Sequence, residues 1–170
     1  MTTLQPMTEA DYPPWRTQSI ADYAQEKQRS GQWDAADADK QAQAAFAELL
    51  PAGLHTPGHH LYTIVDATGT SVGAIWIARQ EQPCGPVAFI YDLVVWPAHR
   101  RQGHGEAAMR ALEHEVLRLG FAGLALHVFG HNEVARALYA RLGYAPTNIR
   151  MFKPLAEPDP PPGRPPAAGA

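Results

Sequence analysis

Residues 91–119 read YDLVVWPAHRRQGHGEAAMRALEHEVLRL, and the change of pattern inside this stretch constrains the fold more than any other. Tyr91 to Trp96 are mostly aromatic or β-branched, which suits a strand, and Pro97 has no N–H with which to continue a central ladder. From Glu106 onward Ala108, Leu112, Val116 and Leu119 recur at spacings of four, four and three, one face of a helix closed by Gly120. The unit is strand, turn, helix. Its turn, Arg100-Arg101-Gln102-Gly103-His104-Gly105, falls where a helix has unpaired N–H groups and the positive end of its dipole. Gly103 and Gly105 carry no Cβ to keep an anion off the backbone, and Arg100 and Arg101 add positive charge, so the turn suits a pyrophosphate. The same residues also suit a tight turn with two solvated arginines, and a lone Gly-x-Gly does not separate these readings.

A chain of 170 residues, 45% of them hydrophobic, predicts one compact domain with its own core. No apolar run approaches the roughly 18 residues of a spanning helix, and Met1 to Pro13 lacks the basic start and apolar centre of a signal peptide. A cytoplasmic protein without a membrane partner is expected. The lone cysteine, Cys84, excludes an internal disulfide and sits in a Pro-Cys-Gly loop with no base beside it. A net charge of −3 gives no general pull toward nucleic acid, so the basic cluster at Arg100 and Arg101 predicts a local anionic ligand.

In chain order, Met1 to Met7 read as loose chain or an edge strand, and Thr8 to Asp11 resemble a capping box. A helix follows from about Pro14 to Gln28, with Trp15, Ile20, Tyr23 and Ala24 apolar; a second, capped by Asp34, carries Ala45, Phe46, Leu49 and Leu50. The pair suits a lid on the substrate side, over residues 1–58. From His60 the period becomes two, predicting a hairpin of Leu61 to Val65 and Val72 to Ala78 about an Asp66–Gly69 turn. After a loop from Arg79 to Pro86, the central strand begins near Val87. Short connections make these strands antiparallel, whereas Leu124 to Phe129, reached through a helix, is parallel to the fourth. A helix from Asn132 to Leu142 and a last strand, Ile149 to Lys153, complete a core over residues 60–153. Residues 157–170 are Pro, Ala and Gly-rich without apolar periodicity and predict a disordered tail beyond a domain of residues 1–155.

Arg100-x-x-Gly103-x-Gly105 between strand and helix, preceded by Val95-x-Pro97, resembles the acetyl-CoA signature of the GNAT acetyltransferase family. A second block, Asn132-x-x-Ala135-x-x-Leu138-Tyr139-x-x-x-Gly143-Tyr144, resembles another motif of that family in the right order. The resemblance implies an α/β protein of the α+β GNAT type. It implies a mixed, largely antiparallel sheet of about six to seven strands, helices on both faces and a splay between strands four and five. It implies acetyl-CoA as co-substrate, with Arg100, Arg101, Gln102, Gly103, His104, Gly105 and Glu106 around the pyrophosphate and Leu93, Val94 and Val95 along pantetheine. Asn132 and Ala135 fall beside that arm, though Asn132 suits a helix N-cap equally well. A homodimer is frequent among similar proteins.

Acetyl transfer to an amine requires a base, a donor to the thioester oxygen and a proton for the departing thiolate. Tyr139 reads from spacing as a core aromatic, but the resemblance makes it the acid that protonates the thiolate. His127, flanked by Leu126 and Val128 pointing the other way, is the leading base candidate, and Asp92, a carboxylate in an apolar strand, is its competitor. The Val94 or Val95 N–H suits the oxyanion. The eight histidines lack the helical pairing or Cys spacing of zinc sites, so no metal is expected. The expected function is acetyl-CoA dependent N-acetylation of a small-molecule or peptide amine; the alternative is a non-catalytic acyl-CoA binding module. A phosphate-loop nucleotide site lacks the Lys-Ser/Thr pair after its glycines.

Overall fold

A computed structural model describes residues 2–153 and 155; the tail expected over 157–170 lies outside these. Five strands form one sheet in chain order: β1 (Thr3–Pro6), β2 (His59–Val65), β3 (Ser71–Gln82), β4 (Gly85–Val95) and β5 (Leu124–Leu126). β1 to β4 are antiparallel, and β5 is parallel to β4. The helices are α1 (Tyr12–Arg29), α2 (Ala38–Leu49), α3 (His104–Arg118) and α4 (Glu133–Arg141).

The described residues therefore hold five strands, not six to seven. Ile149 to Lys153 carries strand-like residues yet runs without a ladder partner, with Ile149 73% and Phe152 88% exposed. Backbone polar groups without a neighbouring strand turn to water instead, and sequence pattern alone does not supply a neighbour. β5 stops at Leu126, three residues short of expectation. The loop expected from Arg79 to Pro86 contracts to a tight turn, because β3 and β4 pair as far as Gln82 with Gly85. α2 begins at Ala38, since Asp34 closes a turn through its carbonyl, which accepts from the Asp37 and Ala38 N–H groups, and not through its side chain.

Each sheet face has its own core. On one, Ala108, Met109, Leu112 and Val116 of α3 pack against Ile64, Ile75, Ile77 and Ile90. On the other, Trp15, Ile20 and Ala24 of α1 and Ala42 and Phe46 of α2 close over Ala74 and Trp76. Trp15 meets Trp76 edge to face at 5.8 Å, so the helix pair expected as a lid is a packed layer of the fold. The Thr8–Asp11 capping pair forms, with Thr8 N–H and hydroxyl donating to the Asp11 carboxylate and Asp11 N–H returning to Thr8 Oγ1.

Candidate active site between the splayed strands

The turn before α3 is built by two left-handed residues, Arg101 at φ 62° and Gly103 at φ 84°. The second requires no side chain; the first is tolerated at some local cost. Among the described residues no acceptor meets any amide from Arg101 to Glu106, and Ala107 is the first to find one, the Gly103 carbonyl at 3.0 Å. Six consecutive unpaired N–H groups at a helix start form a cradle for an anion. A Cβ on Gly105 would lie 3.7 Å from both Val95 Cγ2 and Leu138 Cδ2, so its absence leaves room between the end of β4 and α4.

The side chains of the turn fix its shape. Arg100 Nε donates to Val95 O at 2.9 Å, Gln102 Nε2 to Ala98 O at 3.2 Å, and the His104 ring meets Thr2 Oγ1 at 3.0 Å. Arg101 is exposed. Glu106 takes Arg110 at 3.1 Å and Arg141 at 3.4 Å; the Arg110 bond above all holds its carboxyl below the usual range.

β4 and β5 pair only from Ala88 with Leu124 to Ile90 with Leu126. β4 then runs on to Val95 paired with β3 only, while the chain beyond Leu126 is drawn toward α1. There His131 Nε2 lies 2.5 Å from Glu26 Oε2, and Lys27 Nζ sits 5.9 Å from the Phe129 ring. The strands splay, as expected. Trp96 N–H donates to Val72 O on the β3 side, and strand alternation then points the Val94 amide the same way and those of Leu93 and Val95 into the gap. Of the two expected oxyanion donors, only Val95 offers its N–H there.

A bulge decides which way Asp92 faces. Ile77 pairs with Ile90 and Trp76 with Asp92, which leaves Tyr91 as an extra residue. Strict alternation from Ile90 would turn Asp92 toward α3; the extra residue reverses it, and the carboxylate meets α1. Its Oδ2 accepts from Ser19 Oγ at 2.6 Å and Trp15 Nε1 at 2.9 Å. Asp92 as a residue is half-buried along the open edge, yet its carboxyl lies deep among protein atoms, and burial raises its pKa against the pull of those two donors.

Tyr139 stands on the other side of the gap, half-buried on α4 against the α3 core. Burial first, and then the charge of Asp92, pushes its phenol up to about 12. The structure thus brings Asp92 and Tyr139 together from opposite faces of the sheet. His127 lies one residue past β5, exposed, with its ring edge-on to Phe129 at 5.3 Å. Asn132 caps α4, its Oδ1 accepting from Ala135 N–H at 3.1 Å, which leaves its side-chain NH2 group for another partner. Trp15 reads in the sequence only as an apolar contact, and Ser19 carries no motif; a small hydroxyl one turn after a buried tryptophan was the available signal. Among the described residues no three His, Cys, Asp or Glu side chains gather as metal ligands would, and no helix is long and apolar enough to cross a membrane.

Known proteins are similar to this chain in sequence and in fold. YycN, an uncharacterised N-acetyltransferase of Bacillus subtilis (strain 168), is 36% identical over 152 residues, 89% of this chain and 97% of that protein. YdgE of the same organism, also an uncharacterised N-acetyltransferase, is 35% identical over 153 residues, 90% of this chain and 98% of its own. The crystal structure of YycN superposes with a TM-score of 0.87 over 92% of this chain and all of that one, at 36% identity. A GCN5-related N-acetyltransferase of Ralstonia eutropha JMP134 gives 0.66 at 25% identity, over 92% of this chain and all of its own. The model of the Acetyltransferase (GNAT) family matches residues 12–144, which span both splayed strands, the amide cradle and Tyr139. With relatives at this identity over nearly their whole length, the strand, glycine turn and helix first read in the sequence belong to an acetyltransferase of the GNAT family.

Proposed function

We propose that this chain transfers an acetyl group from acetyl-CoA directly to a primary amine. The observation that carries the reading is the run of six unpaired amides from Arg101 to Glu106 beside the β4 edge that β5 leaves unpaired from Tyr91 to Val95, on which Asp92 sits. The pyrophosphate is held by those amides with Arg100 and Arg101, and pantetheine lies along Leu93 to Val95 as an added strand, with Asn132 beside it. The Val95 N–H faces the thioester oxygen. The amine, once neutral, attacks the carbonyl carbon; the C–N bond forms, the C–S bond breaks, and Tyr139 gives its proton to sulfur. A phenol raised by burial stays protonated at neutral pH, as a donor must.

Asp92 takes the proton lost by the amine. It lies on the α1 face, away from the coenzyme, and its raised pKa makes it a stronger base than an exposed carboxylate. His127, exposed and past the end of β5, is the second candidate. The acceptor is a small-molecule or peptide amine, and its proton reaches the buried Asp92 carboxylate by way of water. Calorimetry with acetyl-CoA and the intact chain should show heat of association, and free-thiol detection should show thioester cleavage that depends on added amine. Absence of heat overturns the assignment; heat without amine-dependent thiol release leaves a binding module.

A further inference from the structure

We propose that Ser19 is a positioning residue for acetyl transfer: its hydroxyl, seconded by the Trp15 indole, donates to the Asp92 carboxylate, favouring its charged form and fixing its orientation. The inference rests on the reading of Asp92 as base and deepens it, since it makes α1 part of the catalytic apparatus.

A serine inside a helix usually turns its hydroxyl back to the carbonyl four residues earlier, or to water. Ser19 does neither. It is 5% exposed and donates across to β4 at 2.6 Å, the length of a charge-assisted bond. One turn earlier Trp15, 1% exposed, donates to the same oxygen at 2.9 Å. Trp15 itself cannot swing away, because Trp76 at 5.8 Å, Phe46 at 6.2 Å and Tyr12 at 5.6 Å pack its ring. Both donors therefore approach Oδ2 from a fixed direction and lock the carboxyl rotamer.

The setting explains why such donors are needed. Burial disfavours the charged carboxylate, and Asp22, one turn further along α1, adds like-charge repulsion. Asp22 from α1 bears on Asp92, and the Asp92 charge in turn bears on Tyr139 from α4; neither partner supplies a positive charge at neutral pH. Trp76, opposite on β3, is uncharged. The Ser19 hydroxyl, the Trp15 N–H and the Leu93 amide are what oppose the shift. Without one of them the group would hold its proton to higher pH.

The test is a titration of the full chain, labelled with 13C at aspartate Cγ, with the Asp92 signal assigned by its loss in Asp92→Asn. Ser19→Ala should move the Asp92 midpoint up by about one pH unit. Trp15→Phe, which keeps the ring in the core, should move it the same way and stands in if Ser19→Ala fails to fold. The acid limb of kcat/KM, followed with n-butylamine and acetyl-CoA, should move with the midpoint, so that the loss is about tenfold below the limb and small above it, while coenzyme affinity stays. An unmoved midpoint in both variants overturns the role of Ser19 and Trp15, even if Asp92→Asn abolishes the limb. A midpoint that moves while the limb does not removes Asp92 as base and this role with it.

Discussion

Tyr139 and Asp92 are two ordinary side chains whose proposed tasks differ because of where they sit. Tyr139 keeps its proton because burial and the neighbouring carboxylate both disfavour a phenolate. Tyr139→Phe is therefore expected to lower kcat about a hundredfold, with coenzyme affinity by calorimetry unchanged, since only the proton donor is lost. Equal turnover in both proteins would remove the acid role. For Asp92 the sign of the pH dependence follows from burial. Its folded-state pKa lies above the unfolded value, so the native state binds the extra proton between the two. Stability from this group is present below the unfolded pKa and is lost as pH rises through the folded one. Asp92→Asn, which can still accept from Ser19 and Trp15, should thus lose activity while its Tm at pH 8 equals or exceeds that of the parent. The difference should shrink as pH falls toward 4, followed by circular dichroism melts in matched buffers.

The end of β4 is where three elements meet, and Gly73 of β3 controls it. A Cβ there would lie 2.2 Å from the Val94 carbonyl oxygen, which is backbone and cannot rotate aside. Gly73→Ala should cost about 1–3 kcal/mol by urea titration and weaken coenzyme binding as well, because the shift it forces carries Leu93 and Val95 with it. A stability loss without weaker binding would separate the β4 edge from the coenzyme. At this scale the sequence was informative wherever one element reports itself. Ala108, Leu112 and Val116 have helical spacing and are buried; Asn132 precedes an apolar run and caps it. It was silent wherever a partner decides. Asp92 sits in an apolar run whose alternation hides the extra residue Tyr91, and nothing in that run states that Trp76 rather than Ile77 lies opposite. Ile149 to Lys153 has the composition of a strand but no neighbour to bond, and β5 ends early because Glu26 and Lys27 of α1 hold the chain that follows.

Across the whole molecule the sheet separates two approaches to one gap. The amide cradle and Tyr139 belong to the α3 and α4 face, whereas the Asp92 carboxyl, Ser19 and Trp15 belong to the α1 face. Coenzyme and amine can therefore occupy the site together, and the geometry favours transfer within a ternary complex over a relayed acyl group. Cys84, the one thiol in the chain, lies exposed in the β3–β4 turn. That is the opposite end of β4 from Val95, and at ~3.3 Å per residue the path back to Asp92 exceeds ~20 Å. No acyl-cysteine formed there could reach an amine at the gap. Initial-velocity measurements with acetyl-CoA and amine varied together should then give intersecting double-reciprocal lines, and Cys84→Ser should keep the parent kcat. Parallel lines, or an acetylated protein isolated after incubation with coenzyme alone and competent to acetylate added amine, would show that the two faces are used in turn and not at once.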